Sequence, residues 1–147
     1  MGEKKSTRLS ALLKIEEAKQ HEEGRKLSGY QKAVQDKKKK LSELETYLDE
    51  YREKFAELAR RGTEAEKIRS CYAFISQLNT IILHQRQAVR EATHSVESYR
   101  QVWIQAKQRT DILEKTLGKI RDDELRHERK QEQALTDELA RHKQRDH

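Results

Sequence analysis

The sequence predicts an all-α protein: two long helices folded back on each other as an antiparallel coiled-coil hairpin, the second longer than the first. Three observations carry this. The 147 residues include no proline, which suits a chain that is helix almost throughout. Only 33% of residues are hydrophobic while 39% are charged, against ~45–50% and ~25% in ordinary domains, so material for a layered core is lacking. The apolar residues nonetheless recur in alternating steps of three and four, the spacing of a coiled-coil seam. An α/β enzyme fold is thereby excluded, and the single cysteine, Cys71, rules out an internal disulfide framework.

The first helix is expected over residues 7–61. Its seam reads Leu27, Tyr30, Val34, Lys37, Leu41, Leu44, Leu48, Tyr51, Phe55 and Leu58, with Lys37 the one polar member. Upstream, Leu9 and Leu13 continue the same phase, separated from Leu27 by a weak stretch in which Glu16, Gln20 and Glu23 occupy the seam. Gly24 and Gly29 lie beside that stretch. Each costs about 1 kcal/mol relative to alanine in a helix, so a bend is expected there.

The turn is placed at 61–64. Gly62 can adopt the left-handed conformation that ends a helix, after Arg60 and Arg61, whose charges suit the negative end of the dipole. Thr63 and Glu66 have capping-box spacing for the next helix.

The second helix is expected over 64–145. Its seam reads Ile68, Cys71, Ile75, Leu78, Ile82, Gln85, Val89, Ala92, Val96, Tyr99, Trp103, Ala106, Thr110, Leu113, Leu117 and Ile120, polar only at Gln85 and Thr110. Folding the chain about Thr63 sets Leu58 opposite Ile68, Phe55 opposite Cys71, Leu48 opposite Leu78 and Leu44 opposite Ile82. The same register reaches Val34–Ala92, Leu13–Leu113 and Leu9–Leu117. Two seams found independently thus mesh as one single-domain hairpin. At 1.5 Å per residue the helices would be roughly 80 and 120 Å long. Beyond about residue 120 the first helix is exhausted, and the charged remainder, with Leu125, Leu135 and Leu139 out of phase, is expected to project unpaired. A lone charged helix is marginal in water.

Charge is uneven. The net +6 lies wholly in residues 1–40, which hold 12 Lys/Arg and 6 Asp/Glu, densest at Lys37-Lys38-Lys39-Lys40. Such a run is either a solvated face or a contact for an anionic partner. A basic nucleic-acid-binding coiled coil is the rival reading, but a basic run inside an antiparallel hairpin lacks the Arg and Asn that read base edges.

Chemistry-bearing motifs are missing. There is no glycine-rich phosphate loop, and His21, His84, His94, His127, His142 and His147 share no metal-ligand spacing. Cys71 in the seam is expected to be a buried, inert thiol, and Trp103 a knob opposite weak positions. No catalytic residue, metal or cofactor is expected. No stretch is long and apolar enough to span a membrane, and Met1–Lys5 leads into no secretory signal. Gly2 and Ser6 fit the short N-myristoylation pattern, which we read as incidental. The expected location is cytoplasmic.

What exceeds the needs of a two-helix seam is an apolar surplus beside it: Tyr47, Tyr72, Phe74 and Ile81. In the folded register Tyr51 lies level with Phe74, Tyr47 with Leu78, Leu44 with Ile81 and Lys40 with Gln85, making one lateral face across both helices. Such a patch marks a partner site; the alternative is a local widening of the core.

At these residues the chain resembles the FliJ family, small helical components of the bacterial flagellar type III export apparatus. The resemblance is carried by Tyr47-Leu-Asp-Glu-Tyr51-Arg52, Tyr72-Ala-Phe74-Ile75-Ser-Gln-Leu78 with Gln85, Trp103 ahead of Leu113-Glu114-Lys115, and Glu132-Gln133 with Asp137-Glu138-Leu139-Ala140. It spans about residues 9 to 143, with Tyr72 one place nearer Phe74 than the family pattern. It implies a non-enzymatic, stalk-like export helper that binds the hexameric export ATPase and the cytoplasmic domain of the export gate and escorts export chaperones. It would be monomeric when free and peripheral to the inner membrane at the flagellar base through its partners. The family's gate-contacting face falls here on Leu44, Tyr47, Tyr51, Phe74, Leu78, Ile81 and Gln85, while Lys40 at its edge departs in residue type.

Overall fold

The computed structural model describes residues 4–146. It consists of two antiparallel helices, α1 (Lys5–Arg61, 57 residues) and the longer α2 (Ala65–Arg145, 81 residues), with no strand among the described residues. The all-α antiparallel hairpin expected from the seams is the fold observed. The myristoylation pattern at Gly2 and the last histidine, His147, lie outside the described residues. No helix is long and apolar enough to cross a membrane.

α1 ends at Gly62, whose φ of 71° is the left-handed conformation that releases the chain from the helix. Arg60 and Arg61 occupy the last turn, and Arg61 Nη2 lies 2.8 Å from Glu57 Oε1 one turn back. α2 starts differently from the capping-box expectation. The Glu64 carbonyl accepts from the amides of Lys67 (3.1 Å) and Ile68 (3.3 Å), so Glu64 is the N-cap. Thr63 stays in the link between the helices.

The chain forms two compact units. The first is Gly24–Val102, which contains the turn. Its core is Leu48, Leu78 and Ile82, with Leu41, Leu44, Phe74 and Ile75 packed against them. Val34 and Val96 are buried further from the turn, beside stacked rings of Tyr30 and Tyr99 with centroids 4.3 Å apart. Between these apolar layers lies a polar one: Gln85 Nε2 donates across the hairpin to the Lys37 carbonyl at 3.0 Å. Phe55, Leu58, Ile68, Cys71, Val89 and Tyr99 are half-buried, since two helices cannot enclose a side chain on all sides.

The second unit joins the stretch ending at Glu23 to the one beginning at Trp103. Ala106, Thr110 and Leu117 are buried, and Leu113 half-buried. The weak seam is filled by size complementarity: the half-buried Glu16 and Gln20 lie in register with small Thr110 and Ala106, so their aliphatic stems cover the gap. Glu16 keeps two cations near, Lys19 Nζ at 3.4 Å and Arg109 Nε at 3.8 Å. Thr110 satisfies its buried hydroxyl by donating to the Ala106 carbonyl at 3.1 Å.

Pairing in this unit runs further than residue 120. Glu124 accepts from the Ser6 hydroxyl at 2.7 Å and from the Ser6 amide at 3.3 Å, and Lys4 Nζ reaches Glu128 Oε1 at 2.9 Å. α1 has no acidic residue of its own in its first turn, so the carboxylate favoured at that positive helix end comes from α2. Among the described residues, α2 makes no such contact with α1 beyond Glu128, and Leu135 and Leu139 are 60% and 61% exposed.

Candidate partner-binding face

Of the off-seam apolar residues, Tyr47, Phe74 and Ile81 sit on the g-type edges of the two helices. Tyr47 on α1 and Phe74 and Ile81 on α2 therefore share one side of the seam. The rings of Tyr47, Tyr51 and Phe74 form a closed cluster. Tyr51 lies 4.3 Å from Phe74 in a tilted stack, and Tyr47 meets Tyr51 edge-on at 5.0 Å and Phe74 at 6.1 Å. These are favourable aromatic geometries. Lys54 Nζ stands 5.3 Å from the centre of the Tyr51 ring. The neighbouring Tyr51 hydroxyl, followed by burial, raises the Tyr47 phenol above its ordinary range.

Exposure divides the seven expected contact residues. Tyr47 and Ile81 are 41% and 50% exposed and form the open part of the face. Leu44, Tyr51, Phe74 and Gln85 are half-buried along its floor. Leu78, 4% exposed, belongs to the core and supports the face from beneath rather than lying on it. The Gln85 amide is turned toward the Lys37 carbonyl, so part of its hydrogen-bonding capacity is already used. Tyr72, 69% exposed, points away on the other edge of α2.

Toward the turn, the face opens into a groove of about 590 Å³ lined by Tyr51, Leu58, Cys71 and Phe74, with Glu64, Glu66 and Lys67 at its rim. Cys71 is thus a half-buried groove residue rather than the buried thiol its seam position suggests. Two helices alone leave one side of such a seam residue open, here as at Val89 and Tyr99. Trp103, in the other unit, is half-buried under Lys107, whose ammonium lies 5.6 Å from the ring centre. Among the described residues, no group of three or more His, Cys, Asp or Glu is placed to hold a metal ion.

The fold and this face define a class: an antiparallel helical hairpin carrying a lateral aromatic surface that its own seam leaves uncovered. The family model described as Flagellar FliJ protein matches residues 4–146. The chain belongs to the FliJ family, and so is a component related to flagellar protein export. No curated protein and no solved structure matches the chain.

Proposed function

We propose that this chain is a non-enzymatic, stalk-like component of the flagellar export apparatus whose Tyr47–Tyr51–Phe74–Ile81 face binds the cytoplasmic domain of the export gate. The observation that carries the reading is the partial exposure of Tyr47 and Ile81 on top of an ordered aromatic cluster. Rigid aromatic anchors lose little conformational entropy on docking and commonly carry ~2 kcal/mol or more of binding energy. The export ATPase hexamer is assigned to the other end, where the second helix outruns the first: a slender single helix enters a ring, and exposed Leu135 and Leu139 gain from a partner. Escort of export chaperones and a cytoplasmic place at the inner membrane, held there through partners, complete the proposal.

The test is a titration of the purified gate domain with the full chain and its Ile81→Asp variant. Loss of gate binding at unchanged helical content supports the assignment. Undiminished gate binding by a folded Ile81→Asp protein refutes it.

A further inference from the structure

Of the Lys37–Lys40 run only Lys40 borders the aromatic face, and the surroundings of the run are unusual. From Arg25 to Lys40 the chain carries seven cations against one carboxylate, Asp36. Lys32 and all four lysines of the run are exposed, and among the described residues none has an ion-pair partner. Some cations outside the run do have carboxylate partners: Lys19, Arg61 and Arg86 each lie within 3.4 Å of a carboxylate oxygen, and Arg100, beside the band, lies 2.7 Å from Glu97. The half of this unit nearer the turn, residues 41–85, holds six cations and eight carboxylates. Positive charge is therefore concentrated in one band.

Beside this band lies a groove between the helices, about 600 Å³ in volume. Its floor is the buried pair Val34 and Val96; Gln31, Lys32, Gln35 and Lys38 line it from α1 and Thr93, Glu97 and Arg100 from α2, the last two paired at 2.7 Å, so its unpaired charge is that of the lysines. Gln31, Lys38, Thr93 and Arg100 stand at e-type positions, so the groove runs along the side of the seam opposite Tyr47, Phe74 and Ile81. The Arg86–Glu45 bridge, at 3.4 Å, closes it toward the turn.

We propose that this e-side groove is a second docking surface, which takes an acidic helical segment of a partner protein. Charge complementarity sets the sign of the partner, because unpaired lysines gain most from carboxylates placed one helical turn apart. The neutral wall sets its class. Gln31 and Gln35 offer amide donors and acceptors at a spacing of one turn, which suits polar side chains on a third helix laid between the first two. A duplex, far wider than a single helix, would meet the exposed lysines without seating between the helices, and the nearby aromatic rings, Tyr30 and Tyr99, stack on each other rather than offering a free platform for bases. A bilayer fits less well, because Lys37 to Lys40 point outward at successive steps of about 100° around α1. No large apolar residue between Tyr30 and Tyr47 is exposed to enter lipid. The proposal does not rest on the export reading.

The test uses the full chain and a labelled, glutamate-rich helical peptide of about five turns, with binding read by fluorescence anisotropy at low salt. Lys32→Gln with Lys38→Gln should weaken binding at least about tenfold. Gln31→Ala with Gln35→Ala, which leaves charge unchanged, should weaken it about threefold or more, at unaltered circular dichroism. Duplex DNA and phosphatidylserine vesicles, run in parallel, should respond to the lysine pair alone. A peptide indifferent to the glutamine pair overturns the proposal, as does tighter binding to DNA or vesicles than to the peptide at the same salt.

Discussion

Ile81 and Ile82 are adjacent in sequence and opposite in environment, which makes them a matched pair for separating stability from recognition. Ile82 is 3% exposed and lies in the core with Leu48 and Leu78, whereas Ile81 is 50% exposed. Replacing either by alanine removes three carbons, ~2.4 kcal/mol of transfer free energy at about 0.8 per methylene when fully buried. At Ile82 a cavity contribution adds to this, within the ~2–5 kcal/mol usual for such changes. A two-helix seam can close around a gap, which argues for the lower half, ~2–3 kcal/mol. At Ile81 about half the transfer contribution applies, and alanine's better helix propensity returns a few tenths of a kcal/mol, leaving less than ~1 kcal/mol.

At ~3 °C per kcal/mol for a chain of this length, Ile82→Ala should lower the melting temperature by ~6–9 °C and Ile81→Ala by less than ~3 °C. Affinity for the gate domain should show the reverse order. Ile81→Ala should weaken it about tenfold, ~1.4 kcal/mol, while Ile82→Ala, measured well below its melting point, should leave it nearly unchanged. Circular dichroism melts and calorimetric titrations of both variants decide the matter. If Ile81→Ala melts like Ile82→Ala and binds the gate normally, the lateral face is only a widened core.

Gly29 lies in mid-helix with open space where a Cβ would stand, so Gly29→Ala should stabilise the protein by ~0.5–1 kcal/mol, readable as a higher melting temperature. Gly62→Ala should do the opposite, because its φ of 71° strains any side chain. The Ser6 hydroxyl, ahead of the other contacts, holds the Glu124 carboxylate below its ordinary range. The folded-state pKa is the lower one, so this contribution to docking the start of α1 is present at neutral pH and is lost as pH falls through and below the ordinary glutamate range. Hydrogen exchange of the Ser6 amide should therefore gain protection with rising pH through that window, after correction for intrinsic rates, and Glu124→Gln should abolish the dependence. Removing residues 129–147 should weaken ATPase engagement while leaving the Lys4–Glu128 contact and the helicity per residue intact; undiminished engagement would place the ATPase elsewhere.

The seam was legible because a coiled coil repeats its instructions. The pairing of Leu48 with Leu78 and Ile82 follows from position numbers alone, and so does the side of the seam on which Tyr47, Phe74 and Ile81 fall. The degree of burial was harder to read. Cys71 and Phe55 have core spacing, yet in a two-helix hairpin that spacing often yields only half-burial, as it does at Val89 and Tyr99 far from the turn. The Ser6–Glu124 contact was missed because counting apolar residues stops at a charge. The three-and-four stepping after Leu117 and Ile120 nevertheless lands on Glu124, and one step before Leu9 lands on Ser6. The geometry of the seam continues where its chemistry changes, and a carboxylate there finds the amide end of the opposite helix.

Both lateral surfaces are composites of α1 and α2, so neither exists without the correct register. Sliding one helix by a heptad would still set apolar residues against apolar residues along most of the seam, but it would bring Phe74 level with Leu44 or Leu58 and disperse the aromatic cluster. It would also carry Thr93 and Arg100 away from Gln31 and Lys38. An all-leucine seam has little means of refusing such slips. The two polar interruptions of this unit supply one. Lys37 and Gln85 break their seams within one turn of each other, and the Gln85 amide finds the Lys37 carbonyl at 3.0 Å. A slipped pairing would set the Lys37 and Gln85 side chains at separate levels among apolar ones, which disfavours it modestly because the Gln85 bond is open to water. Polar residues at seam positions fix register at some expense in stability. In this hairpin, fixing the register also fixes which side chains share each face, so Gln85 serves recognition through alignment even where it touches no partner.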